Sequence, residues 1–322
     1  MEILEYDGSL AGAWDELVAG SAMGTFLHTR RFLGYHGDRF EDVSVVVLGE
    51  DGVALGVLPA AVDPADPARV VSHPGATFGG LVHDGSLRGS AMLEALRSIA
   101  AHYAGRGFSH LRYAAVPHIY HRQPSGDDLY ALFRLGAERP RADLSCAIDL
   151  EDGASLSSRR RRGLNKARRS GVEVVDGPGL VDELWPVVEE NLAERHRARP
   201  VHTAAEMRIL VELFPEEIRI VVAREAGEPV GGAVFFRSAR VLHTQYSVAT
   251  SRGHEIGALD AVLSHWIDRA TADGLRFFDF GTSNADEGTV LNEGLFTYKA
   301  QFGGGGVAHG FYELDLGPRP AA

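Results

Sequence analysis

Apolar positions along the chain fall into two runs with the same order. An amphipathic helix over 10–19 opens the first run, and an apolar strand over 42–49 follows it. The turn Glu50-Asp51-Gly52 leads to a second apolar stretch, 53–63, and its Asp-Gly step marks the pair as a hairpin. Residues 70–82 come next. Met92, Leu93, Leu96, Ile99 and Ala100 then recur at helical spacing over 88–104. The break Gly105-Arg106-Gly107 ends that helix and feeds a strand over 109–116.

The second run repeats this order. A helix over 180–196 carries Leu184, Val187, Val188, Asn191 and Leu192 on one stripe, and a second helix covers 203–214. Strands over 218–225, 229–238 and 240–250 follow, then a helix over 257–272 and a strand over 276–283. A repeat this long is a domain duplication rather than a solenoid unit. The division expected from it is a first domain over 1–150, a basic connecting helix over 151–175 and a second domain over 176–322. Each half combines a largely antiparallel sheet with packed helices, an α+β arrangement.

Composition narrows the function classes. At 322 residues with 45% hydrophobic positions, the chain can bury two cores, and its net charge of −12 excludes a protein that coats nucleic acid over its whole surface. A single cysteine, Cys146, rules out an intramolecular disulfide framework and a cysteine-rich zinc site. The start of the chain lacks the basic and apolar segments of a signal peptide, and no apolar run is long enough to insert in a membrane, so a cytoplasmic protein is expected. His118 and His121 have no second cluster to complete a metal site, so no metal is expected; His118 and Tyr120 are instead candidates for an acceptor pocket.

Against the acidic background, Arg159, Arg160, Arg161, Arg162, Lys166, Arg168 and Arg169 fall within eleven residues, with no acid between Asp152 and Glu173. If helical from about Ser157, the segment sets Arg162, Lys166 and Arg169 on one face. Two readings fit: a solvated charged face, or an anion site gripping phosphates. Asp279 lies in "RFFDFGTSN" amid three phenylalanines, which suits either a desolvated base or a hydrogen-bonded structural carboxylate. Ser283 and Asn284 follow that strand and are candidate ligand contacts. In "RVLHTQYSVAT", Leu242, Thr244 and Tyr246 alternate with His243, Gln245 and Ser247, so polar groups occupy both faces of a central strand. That suits a lined pocket, with His243, Gln245 and Tyr246 as contacts. Lysine is scarce: only Lys166 and Lys299 occur among 32 basic residues. Lys299 sits beside Leu295 at the edge of the apolar stripe Leu295, Tyr298 and Phe302, where a lysine by default snorkels to water. Tyr298 and Phe302 are candidate walls of a pocket next to it.

The element order, with "SSRRRRGLNKARRSGVEV", "RFFDFGTSN" and "LNEGLFTYKAQFG", resembles two tandem copies of the GNAT N-acetyltransferase fold, as in the Fem-type aminoacyltransferases and FemAB-like acyltransferases. The resemblance implies an amide-forming acyltransferase. In it Lys299 would polarise the donor ester carbonyl or steady the developing oxyanion. The central strand would splay from its neighbour and expose backbone N–H groups. The basic helix would take a tRNA acceptor arm or a diphosphate-bearing acceptor. Acetyltransferases that bind coenzyme A place a glycine loop before the last long helix. Here, with Gly257 as the central glycine, His254 and Leu259 fill its flanking places. Gly253 and Gly257 still offer bare backbone for an anion. This spoiled register favours aminoacyl-tRNA as donor over acyl-CoA. No cofactor is expected, since the donor is a co-substrate, and the acceptor is a small-molecule amine from natural-product or cell-envelope chemistry. The rival class is a non-catalytic RNA- or ligand-binding protein on a decayed fold.

Overall fold

The structure, a computed structural model, describes residues 1–196 and 200–317. In chain order its strands and helices are β1 (Glu2–Glu5), α1 (Ala11–Gly20), α2 (Arg30–Leu33), β2 (Val45–Leu48), β3 (Ala54–Leu58), β4 (Ala61–Asp63), β5 (Asp66–Val71), β6 (Val82–His83), α3 (Ser90–Gly105), β7 (His110–Ala114), α4 (Asp127–Arg134) and β8 (Glu138–Asp149). They continue with α5 (Ser158–Arg169), β9 (Glu173–Asp176), α6 (Val181–His196), α7 (Ala204–Leu213), β10 (Ile218–Glu225), β11 (Glu228–Arg237), β12 (Val241–Ala249), α8 (Ser251–Ile256), α9 (Ala258–Ala272), β13 (Phe277–Thr282), β14 (Asn284–Ala285), β15 (Val290–Leu291), α10 (Glu293–Ala300) and β16 (Gly305–Asp315).

These elements form two units. Of the described residues, unit 1 comprises 1–143, 286–289 and 308–317, and unit 2 comprises 144–196, 200–285 and 290–307. The chain therefore divides within β8 rather than at 150, and the segment 151–175 belongs to unit 2. The C-terminal strand, counted with the second half on sequence order, pairs with β7 in unit 1 through Phe311–Asp315 against His110–Ala114. Sequence order hides this because a strand finds its partner by register and burial, not by proximity in the chain.

In unit 1, β1, β2, β3 and β6 form one antiparallel ladder, while β4 pairs antiparallel with β5 and β5 parallel with β7. The stretch 53–63 is thus not one hairpin arm. β3 pairs with β2, and β4 turns away to pair with β5. The expected stripe on α3 is seated in a core: Met92, Leu96 and Ile99 are fully buried among Val45, Leu58, Val70, Leu111 and Tyr113.

In unit 2 the order is β9-β10-β11-β12-β13-β8, antiparallel except for β12 and β13. The core on one face unites Phe235, Leu242, Phe278, Phe280 and Phe302 with Val262, Trp266 and Ile267 of α9. On α6, Leu184 and Val188 are fully buried, and Asn191 donates from Nδ2 to the Ala249 carbonyl at 2.9 Å. The parallel pairs in the two units are alike: each runs for three residue pairs, Arg69–Val71 with His110–Arg112 and Val241–His243 with Phe277–Asp279.

Candidate functional site

The site of interest begins where β12 and β13 part. Their register ends at His243 opposite Asp279, though β12 runs on to Ala249 and β13 to Thr282. Both strands are distorted just beyond this point. Gln245 is an extra residue in β12, since Tyr246 pairs with Val234 and Thr244 with Phe235. On β13 the register with β8 slips between Asp279 and Thr282, and Gly281 takes φ +76°. Bulges bend a strand and end its pairing, and an αL glycine lets one form at no steric cost. The two strands therefore fork, and β12 past His243 has no ladder partner from β13.

Asp279 sits at the fork with no solvent exposure. Its Oδ1 accepts from the Ser145 hydroxyl and, at 3.0 Å, from the Gly281 N–H. Its Oδ2 lies 2.8 Å from Nδ1 of His243. Burial of the carboxylate is as expected from the flanking phenylalanines, but it is surrounded by donors. A carboxylate so held fixes the orientation of the groups that donate to it. Nδ1 of His243 donates to it, which leaves the lone pair on Nε2, and Nε2 has no hydrogen-bond partner among the described residues. Ser145 lies 134 residues from Asp279 in the chain, and no local pattern marks it.

Lys299 does not snorkel. It is 6% exposed, and its ammonium donates to the carbonyls of Gly281 and Thr282 at 2.9 and 2.7 Å. Burial lowers its pKa to about 8, against a partial counter-effect from Asp279 and Cys146. The lysine thus pins the bulged end of β13, two and three residues past Asp279. The Cys146 thiol is pushed up to about 11 by burial, which leaves it in the thiol form and a poor nucleophile.

The other candidates separate. Asn284 accepts from the Leu144 N–H through Oδ1 at 2.5 Å, and Ser283 is buried with its backbone bonded to Leu144 and Asn292, so both anchor the strand end. Phe302 is fully buried against Phe280 and belongs to the core, not to a pocket wall. Tyr298 lines a cavity of about 510 Å³ with Arg159, Arg160, Glu293, Thr297 and Gln301. Tyr246 places its hydroxyl 2.9 Å from Nδ1 of His202, with its ring against Trp185. In unit 1, His118 is exposed while Tyr120 is buried on Phe78, so the two form no common pocket. The cavity of about 580 Å³ in that unit is bordered instead by Ser72, His73, Arg112, Arg141 and Phe311.

The basic segment forms α5, capped by the Ser157 hydroxyl on the Arg160 N–H, with Lys166, Arg168 and Arg169 in the last turn where they complement the helix dipole. One narrow face is packed inward. Arg160 is 7% exposed, its Nη1 lies 2.7 Å from Asp260 Oδ1, and its guanidinium stands 4.4 Å over the Tyr298 ring. Arg160 is therefore a structural ion pair and not a phosphate contact. Burial raises the Asp260 pKa to about 6 despite Arg160 beside it. The remaining six basic residues are exposed, and none forms an ion pair among the described residues.

The glycines before α9 are not bare. A Cβ on Gly253 would stand 1.8 Å from the Val230 carbonyl oxygen. At Gly257, φ is +79° and a Cβ would stand 2.6 Å from the Gly163 carbonyl oxygen of α5. The N–H groups of Gly253, His254 and Gly257 are taken up by α8 and its caps. His254 is exposed on α8. The N-terminal end of α9 is thus covered by α5.

Residues 154–299 match the acetyltransferase (GNAT) domain family. The fold of the chain is the GNAT fold. Its whole length has the tandem GNAT architecture. It superposes on the crystal structure of FemX with a TM-score of 0.69 at 12% identity, covering 98% of this chain and 97% of that one. L-PGS from Bacillus licheniformis gives 0.61 at 14% identity, with 95% and 91% covered. A tandem GNAT protein from the clavulanic acid biosynthesis pathway gives 0.53 at 15% identity, with 99% of each covered. No curated protein matches the chain in sequence. No helix among the described residues is long and apolar enough to cross a membrane, and no group of three or more His, Cys, Asp or Glu there could hold a metal ion.

Proposed function

We propose that this protein is an acyltransferase that moves an aminoacyl group from aminoacyl-tRNA to the amine of a small natural-product or cell-envelope precursor. The observation that carries this reading is the covered end of α9. A coenzyme A pyrophosphate needs open backbone N–H groups at a helix N-terminus, and here Gly257 is pressed against the Gly163 carbonyl while Arg160 is spent on Asp260. The helix that fills the place presents Arg159, Arg161, Arg162, Lys166, Arg168 and Arg169 outward, in a chain of net charge −12. Such a patch suits a polyanionic donor better than one small diphosphate. In the reaction the acceptor nitrogen forms a bond to the ester carbonyl carbon, the carbon–oxygen bond to the ribose breaks, and the amine proton passes to the leaving oxygen.

Replacing Arg162, Lys166 and Arg169 by glutamine is the test. Fluorescence anisotropy with charged tRNA should show weaker binding, with the slope of log affinity against log salt reduced by about 2–3. Transfer from acyl-CoA at a rate indifferent to charged tRNA and to these substitutions would establish the thioester as donor instead.

A further inference from the structure

We propose that His243 is the general base of the transfer and that Asp279, held by Ser145 and Gly281, is its positioning residue. The proposal rests on the acyltransferase reading and is independent of which activated donor is used.

Three observations converge on the imidazole. His243 and Asp279 are the last residue pair before β12 and β13 separate, so the imidazole stands where both strands release their edges. The Nδ1 contact to the carboxylate, at 2.8 Å, selects the tautomer with the lone pair on Nε2. Solvent access also discriminates: the His243 side chain is 11% exposed and Asp279 is 0% exposed, so the imidazole alone can meet a substrate. The sequence places a carboxylate here as the base; the structure moves that role one bond outward. The carboxylate of Asp279 faces His243 directly, and beyond it lie the Lys299 ammonium on the Gly281 and Thr282 carbonyls and the Cys146 thiol, which both interact with Asp279.

The step balances without a further reagent. As the acceptor nitrogen bonds to the carbonyl carbon, Nε2 takes a proton from that nitrogen. The resulting imidazolium is steadied by Asp279 through Nδ1–H. When the tetrahedral intermediate collapses, the bond from the carbonyl carbon to the leaving atom breaks, oxygen in an aminoacyl ester or sulfur in a thioester, and Nε2 returns the proton to that atom.

His243→Gln and Asp279→Asn are to be assayed across neutral pH with saturating charged tRNA and, separately, acyl-CoA. His243→Gln should lose about 10²–10⁴ in turnover with whichever donor the wild type uses. Its rate should no longer level off with the ionisation of one group. Asp279→Asn should lose activity as well, because a carboxamide no longer fixes the tautomer with the lone pair on Nε2. Activity with acyl-CoA alone overturns the tRNA donor and leaves the dyad standing. An unchanged pH profile in His243→Gln, on an active donor, overturns the dyad. Imidazole ¹⁵N NMR of the wild-type protein tests the same point without a variant: an Nδ1–H, unprotonated-Nε2 signature supports the assignment, and the opposite tautomer refutes it.

Discussion

Lys299→Met is expected to lose about 2–4 kcal/mol of folding stability, read as a shift in the urea or thermal unfolding midpoint. The ammonium is buried and donates to two main-chain carbonyls, at 2.9 Å to Gly281 and 2.7 Å to Thr282. Methionine matches the stem but leaves both carbonyls without that donor. Hydrogen bonds from a charged group contribute about 1.5–3 kcal/mol each, and relief of the buried charge offsets part of the sum. Turnover should fall too, because the released carbonyls are the end of the strand that carries Asp279. A surface lysine would behave otherwise: its removal changes stability by no more than about 0.5 kcal/mol, and a midpoint that close to wild type would return Lys299 to the solvent. The linkage with pH has a definite sign. The folded-state pKa, about 8, lies below the ordinary lysine value of 10.5. Between these values the unfolded chain binds more protons, so the wild type gains stability as pH rises through the window and loses it as pH falls. The gap between wild type and Lys299→Met should therefore widen from about pH 8 upward.

Gly257→Ala should be at least as damaging, by another route. The residue adopts φ +79°, which costs a non-glycine residue about 1–2 kcal/mol, and its new methyl would lie 2.6 Å from the oxygen and 3.0 Å from the carbon of the Gly163 carbonyl. Those are backbone atoms of a helix, so relief requires α5 to lift away from α9. Together the two effects should cost about 3 kcal/mol or more, and hydrogen exchange of the α5 amides should quicken. Gly163→Ala is the milder companion. Its methyl would meet Asp260 Oδ2 at 2.3 Å, a side-chain atom that can rotate at the expense of the ion pair with Arg160. If Gly257→Ala melts with the wild type and its α5 amides exchange no faster, the packing of α5 on α9 is not as described. That result would also remove the main support for a donor other than coenzyme A.

Much was legible before any coordinates. Periodicity alone located the helices now seen as α1, α3, α6 and α9, because a stripe of apolar residues every three or four positions can be buried on only one side. The duplication was visible for the same reason, as two runs of the same pattern. Alternation on β13 separated Phe278 and Phe280 from Asp279, and the core on one side and the carboxylate cluster on the other follow that division. The basic run, the scarcity of lysine and the spoiled glycine loop were compositional facts that needed no fold.

Tertiary structure alone decided what each of those groups does. Whether Arg160 faced solvent or Asp260, 100 residues away, depended on which face of α5 lay against α9, and charge density along a sequence carries no such direction. Gly253 and Gly257 looked like open backbone, yet each is a point of close approach to another strand or helix, for which a missing Cβ is equally required. The unit boundaries followed the pairing of β8 with β13 and β16 with β7, contacts made by register across more than a hundred residues. Asp279 was singled out by its own neighbours, but its roles as acceptor for Ser145 and anchor for His243 come from two other strands. Hydrophobic pattern fixes which side of an element is buried, since water acts on every residue locally. The partner of a buried polar group is set only when distant segments meet, and that is where the candidate chemistry of this protein is assembled.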